Sequence, residues 1–300
     1  MKEEMIDKIA AAAMEAMLYE VSATPKPGLV DRNNCGAHKD MDYFTFMTSA
    51  AALHASFDEM IRVGIEYRKA PVKELLSPIR KCGIRAEERM FSLTKGVNTH
   101  KGMIFTLGIL CGCAGWYLGK GAASLEKLCE LAAEMCKGIC AREYARLEEK
   151  EHLTKGEQMY LQYGLTGARG EVESGYETVR TISLPLYTEL RERQVPVNEA
   201  LVQTLLHLIA ETADTNILSR HNWETAEYAK KSAQNVLAAG GIFSEKGQQM
   251  LMDMDQDFIE RYISPGGCAD LLAVTHFLYT LKEKEIFRYY IFLEEECVEY

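Results

Sequence analysis

The chain has 300 residues, 47% hydrophobic and 26% charged, with 34 Lys plus Arg against 44 Asp plus Glu and a formal charge of −10. That apolar content excludes a disordered chain, and only 22 Gly and 7 Pro exclude a collagen-like or low-complexity one. The acidic balance excludes a broad basic face for DNA, RNA or anionic lipid, so any polyanion must be held in a local pocket.

Helical periodicity opens the chain. From Met5 to Val21, Ile6, Ile9, Ala13 and Met17 fall on one stripe, with Glu3, Asp7 and Lys8 off it. This acidic start has no signal-peptide pattern, which points to the cytoplasm. A long loop follows, TPKPGLVDR (24–32) continuing through GAHKDMD (36–42). Two prolines pre-set the backbone around Lys26, and the loop carries Asp31, Arg32, His38, Lys39, Asp40 and Asp42. Loops longer than about a dozen residues are uncommon without a role. Asp42 also suits an N-cap for the next helix.

Helices are expected near 43–69 and 72–90, with Tyr43, Phe44 and Phe46 in a core stripe. GVNTHKG (96–102) then brings His100, Lys101 and the nearby Lys95 together without an acid. A helix start with two lysines and a close-approach glycine suits phosphate, although an Asn98 or Thr99 cap explains part of the pattern. It is not a Walker A loop. The stretch 102–119 is eighteen residues without a charge and has glycines at 108, 112, 115 and 119. This is the lower edge of a membrane span; the spacing favours a buried central helix over 99–118 approached closely by its neighbours.

Further helices are expected near 124–148, 178–193, 197–211, 223–239, 244–261 and 267–283, and the tail from Phe287 to Tyr300 is ambiguous. Between them lie three polar interruptions. GLTGARGE (164–171) sets Arg169 among Gly164, Gly167 and Gly170, with Glu171 beyond. Arginine's planar fork suits phosphate oxygens. Asp214 and Asn216, with Arg220 following, end an apolar helix, and hard oxygen ligands of this kind suit Mg²⁺. SPGGCAD (264–270) places Asp270 at a helix start, where capping and function are equally good readings. His54, His207 and His276 read as core or boundary histidines. Nine cysteines, an odd number and mostly in helices, read as reduced structural thiols, and no Cys/His pairs supply a clear metal site. With scarce β-branched alternation and no repeat or linker, the chain reads as one all-α domain over residues 1–300.

Five stretches together resemble the triphosphoribosyl-dephospho-coenzyme A synthases: TPKPGLVDRNNCGAHKDMD (24–42), GVNTHKGMIFTLGIL (96–110), GLTGARGEVESGY (164–176), DTNILSR (214–220) and SPGGCADLLA (264–273). They keep the family's order and span most of the chain. One departure is visible: the family usually places glycines after the Arg220 position, where this chain has His221 and Asn222.

The resemblance implies an all-α enzyme that transfers the triphosphoribosyl group of ATP to a ribose hydroxyl of 3′-dephospho-CoA and releases adenine. The product is the precursor of the citrate lyase prosthetic group, passed on to a separate holo-acyl-carrier transferase; a related branch serves malonate decarboxylase. Losing adenine from C1′ builds oxocarbenium character, and an inverting displacement needs a base, a donor at adenine and cations on the triphosphate. On that basis Lys26, Arg32, Lys101 and Arg169 are expected at phosphates, with Lys39, Asn98, Thr99, Gly167, Gly170, Asn216 and Arg220 completing the substrate contacts. Glu171 and Asp214 are expected at Mg²⁺, Asp31, Asp40 and Asp270 as base or ribose ligand, and His38 or His100 at adenine. A homodimer is possible on Leu- and Met-rich helix faces. The reading from a different class is a non-catalytic helical protein that binds nucleotide.

Overall fold

The computed structural model describes residues 2–118, 120, 124–145, 147 and 150–286. Among these residues the regular structure is entirely helical: α1 (Lys2–Ser22), α2 (Tyr43–Glu66), α3 (Leu76–Leu93), α4 (Lys101–Tyr117), α5 (Leu125–Cys136), α6 (Ile139–Tyr144), α7 (Lys155–Tyr163), α8 (Gly167–Glu173), α9 (Leu184–Glu192), α10 (Val197–Glu211), α11 (Thr215–Arg220), α12 (Trp223–Ala238), α13 (Glu245–Glu260) and α14 (Gly266–Glu283). The all-α expectation holds. The tail from Phe287, Gly119 and Cys297 lie outside the described residues.

Several boundaries depart from the sequence reading. The single helix expected over 124–148 breaks at Gly138, whose φ of 75° is left-handed, and restarts as α6. The helix expected over 178–193 opens with a π-helical turn at Val179–Ser183, and Pro185 then sits in the first turn of α9. Two stretches read as interruptions contain short helices, α8 and α11. Helix α7, capped by the reciprocal Thr154–Glu157 box, was not expected. His221 and Asn222 keep negative φ; Asn222 caps α12 by accepting the Thr225 N–H, and His221 Nε2 pairs with Tyr262 O at 2.9 Å. No glycine is needed at either position.

The core has two apolar clusters. One gathers α1 to α5, the other α9 to α13, and α14 belongs to both: Ala273, Val274, Phe277 and Leu278 face the first, Cys268, Ala269 and Leu272 the second. The α1 stripe of Ile6, Ile9, Ala13 and Met17 is fully buried, as its spacing predicts.

The glycine-rich α4 is the central helix of the first cluster. A Cβ on Gly64 of α2 would lie 2.2 Å from Gly112 O, and one on Gly115 would lie 2.0 Å from Ile61 O, so backbone meets backbone there. This contact decides between the two readings of the uncharged stretch, and no helix among the described residues is long and apolar enough to cross a membrane. The N-terminal ends of α4, α11 and α14 come together with the loop after α1.

Candidate active site

The loop from 24 to 42 is organised by its own acid. Asp31, 1% exposed, accepts from Thr24 Oγ1 (2.7 Å), Lys26 N (3.0 Å), Asn33 N (2.6 Å) and Asn34 N (3.1 Å). Four donors on one carboxylate fix the turn, and they leave Asp31 poorly placed for the expected base or ribose role. Asn198 fastens the loop to α10 through Thr24 N and O and also accepts from exposed Arg32. Asp255 fastens it to α13, accepting from Gly28 N and Asn34 Nδ2, both at 2.9 Å. Asp42 is the N-cap of α2 in a capping box with Thr45, the structural reading of that residue.

This frame holds Lys26 inside the protein. Its ammonium, 1% exposed, is bonded to Glu20 of α1, itself 2% exposed. Burial, with Asp31 adding repulsion, raises the Glu20 carboxyl despite that partner. Lys26 also faces His100, whose charged form it disfavours.

Asp270 occupies the centre. A Cβ on Gly102, in the first turn of α4, would lie 1.8 Å from Asp270 Oδ2, so only glycine lets that carboxylate rest on the helix start. None of the described residues donates a hydrogen bond to it. Burial, then repulsion by Glu20 and Asp214, raises Asp270 well above the usual carboxylate range. Asp214 links two helix starts: it accepts from Asn216 N (2.7 Å) and Ile217 N (3.1 Å) in α11 and from Cys268 N (2.8 Å) in α14. Burial pushes it up as well, against those three donors.

The remaining expected residues fall around this centre in two groups. On the side of the first loop, His38 Nε2 lies 3.0 Å from Ser264 Oγ and its Nδ1 lies 3.8 Å from Asp40, which is exposed. Burial and then Arg220 lower His38 to about 4. Exposed Lys39 sits over the Tyr262 ring at 4.9 Å. Asn216 packs beside Gly266.

On the other side a cleft of about 720 Å³ is lined by Lys101, Gly102, Ala168 and Arg169 among others. Lys101 pairs with Glu87 at 2.8 Å and Arg169 with Glu143 at 2.5 Å. Asn98 accepts from Lys101 N at 3.2 Å just ahead of α4, whose N-cap position is His100 and carries no side-chain cap. Gly167 and Gly170 lie in α8 beside Arg169.

Glu171 does not share a contact with Asp214. Its Oε1 accepts from Val179 N at 3.2 Å, closing the turn after its helix, and the expected two-carboxylate Mg²⁺ pair is therefore not assembled by these residues. Among the described residues no group of three or more His, Cys, Asp or Glu is arranged for a metal ion. The cysteines described are free and mostly buried.

Thr99 and His100 act below the surface. Thr99 Oγ1 donates to Ser49 Oγ at 2.7 Å, which leaves the Ser49 proton for His100 Nδ1, also at 2.7 Å. That chain puts the ring proton on Nε2, a buried atom without a partner among the described residues. Burial, then Lys26, lowers His100 to about 3. An unfolded histidine titrates near 6.5, so His100 contributes stability that is complete above about pH 6.5 and lost as pH falls toward about 3. The slope from one such group is about 1.4 kcal/mol per pH unit. His100→Gln is expected to flatten the acid-side decline of melting temperature relative to the parent. Parallel declines between pH 6.5 and 4 would rule this out.

Two residues that anchor the first loop escape sequence reasoning, Glu20 and Asp255. Both carried a signal, because each is an acid on a buried helical stripe: Glu20 follows Ile6, Ile9, Ala13 and Met17 in register, and Asp255 falls between Leu251 and Phe258.

A family model described as ATP:dephospho-CoA triphosphoribosyl transferase matches residues 6–288. The chain is 41% identical over 273 residues to the 2-(5''-triphosphoribosyl)-3'-dephosphocoenzyme-A synthase of Klebsiella pneumoniae, covering 91% of this chain and 90% of that protein. It is 39% identical over 280 residues to the protein of the same name from Escherichia fergusonii, covering 93% and 92%. A crystal structure from Archaeoglobus fulgidus, 18% identical, matches at a TM-score of 0.49 over 77% of this chain and 96% of that one.

Proposed function

The chain belongs to the ATP:dephospho-CoA triphosphoribosyl transferase family, and from that premise we propose that its reaction takes place at Asp270. The protein is a transferase that moves the triphosphoribosyl group of ATP to dephospho-CoA. The observation that carries the assignment is a single one: an acid raised by burial, with no donor among the described residues, rests on the glycine at the start of α4, next in sequence to Lys101. A transfer between two anionic substrates needs two phosphate-binding regions that meet at one base.

Asp270 is the base. It takes the proton of the acceptor ribose hydroxyl as that oxygen bonds to C1′ of the ATP ribose, and the C1′–N9 bond breaks with its electron pair going to adenine, which takes up a proton from water. Burial and the charges of Glu20 and Asp214 raise this carboxyl, which makes its carboxylate a stronger base than an exposed one. Neutral His38, half-buried beside Ser264 and Arg220, contacts the departing adenine. Fully buried His100 supports the Lys26 side of the site from beneath. Glu20 and Lys26 hold the loop, and the charge of Glu20 raises Asp270. Arg32, Lys39 and Arg220 flank the first loop, and Lys101 and Arg169 the cleft.

Mg²⁺ fits as an ion carried by the triphosphate. Asp214 keeps lone pairs beyond those its three N–H donors use, and a cation would relieve the repulsion between Asp214 and Asp270. Bound there it would supply charge neutralisation. Residents of the cytoplasm supply both substrates, and a separate transferase that loads an acyl-carrier subunit, of citrate lyase or malonate decarboxylase, is the proposed consumer of the product.

Incubation with ATP, Mg²⁺ and dephospho-CoA, followed by chromatography and mass measurement, tests the reading. Free adenine together with a heavier CoA species is expected. ADP, pyrophosphate or unchanged ATP would reject it.

A further inference from the structure

We propose that the cleft between α3 and α4 is the binding site of dephospho-CoA, with the diphosphate at Lys101 and Arg169 and the uncharged arm lying along the apolar groove beyond them. This rests on the reaction proposed above, and it assigns the second substrate a place.

The two helices run antiparallel. Lys101 at the start of α4 pairs with Glu87 near the end of α3, while a Cβ on Gly112 would meet Ile79 Cδ1 at 2.7 Å near the other end. At 1.5 Å per residue, the lining from Glu87 back to Leu76 spans about 16 Å. The near end is the reaction centre, because Gly102 lines the cleft and also carries Asp270 on its Cα. Lys101 stands there, and Arg169 is held by Glu143, which also takes Arg80 of α3. Apolar side chains share these walls: Phe105 and Ile84 near Lys101 and Glu87, and Ile109 and Ile79 beyond them, with Arg80 beside Ile79. In all, the cations Arg80, Lys101, Arg142, Lys150 and Arg169 face the carboxylates of Glu87, Glu143 and Glu157, an excess of positive charge in a protein that is acidic overall.

The combination of these features selects the ligand. ATP has one uncharged part, its purine, and that part is bonded to the reacting carbon; beyond its triphosphate there is nothing to fill an apolar groove. Dephospho-CoA runs from acceptor ribose to diphosphate to a long uncharged arm. The cleft likewise starts beside the acid, and its walls carry both cations and apolar side chains. Ile84, 52% exposed, is an apolar side chain that this arm would cover.

Gly83 gives the test. It lines the cleft, and a Cβ placed on it meets nothing within 4 Å, so α3 accommodates a side chain that projects into the groove. Gly83→Trp is expected to raise KM for dephospho-CoA about tenfold or more while KM for ATP stays within about twofold. ADP is the same acceptor without the arm. The parent is expected to bind dephospho-CoA more tightly than ADP in calorimetric titration, and Gly83→Trp to erase that preference. Ile84→Asp, at a half-exposed position, should act in the same direction if the tryptophan variant does not fold. An unchanged preference in both variants, or a rise confined to KM for ATP, would overturn the assignment. Binding is read without turnover, so absence of adenine release would count against the reaction and leave the cleft separately tested.

Discussion

Asp270→Asn should slow adenine release by about 10²–10⁴-fold, the usual contribution of a general base, while the protein becomes more stable at pH 8. The two effects share one cause. The carboxyl is raised by burial and by the charges of Glu20 and Asp214, and no described residue donates to it. Its folded-state pKa therefore lies above the unfolded value of 3.8. Such an acid binds its proton more tightly in the folded protein, so its ionisation weakens the fold as pH rises above the unfolded pKa toward the folded one. Asparagine has the same shape and cannot ionise. The melting-temperature gain of Asp270→Asn should thus grow between pH 5 and pH 8. A site that sacrifices stability to hold a charged group ready is what the trade between activity and stability leads one to expect. Thermal melts across that range, beside adenine release under saturating substrates, decide it. Retained turnover would remove Asp270 from the chemistry; a loss of stability at both pH values would show the carboxylate to be structural.

Much of this site can be read in the sequence because polar residues in loops have no packing reason to be there. Lys26, His100, Asp214 and Asp270 stand far apart in sequence, yet each lies in a polar interruption, and the structure brings them to one junction. The roles are harder, since a residue type does not reveal its donors. Asp31 and Asp270 look alike in sequence, but four local hydrogen bonds occupy the first and no described residue donates to the second. Glu171 looks like a ligand beside three glycines until the turn after it closes back onto Val179 N. Glu20 hides for the opposite reason. An acid in the last turn of a helix reads as solvated, and only its register on the Ile6–Met17 stripe indicates burial. The short helices α8 and α11 are similarly obscured, because seven and six residues carry too little periodicity to stand out.

The Glu20–Lys26 pair allows stability and catalysis to be separated. Lys26→Met is expected to cost about 3–5 kcal/mol in urea unfolding, because it leaves a carboxylate 2% exposed without its cation and close to Asp31 and Asp270. Glu20→Gln combined with Lys26→Met should recover most of that loss, since removing both charges of a buried pair is often nearly neutral. If the pair served the fold alone, the double variant would then behave like the parent. The geometry predicts a further change. Glu20 raises Asp270 through its charge, so without it the base titrates lower. The acid limb of the kcat/KM profile should therefore move to lower pH in the double variant, a shift that repacking alone does not produce. Adenine release should also weaken, because the loop that carries Lys26 loses its anchor on α1. An unshifted acid limb would confine Glu20 to a structural role. A Lys26→Met variant as stable as the parent would mean that the buried carboxylate is neutral before the lysine is removed.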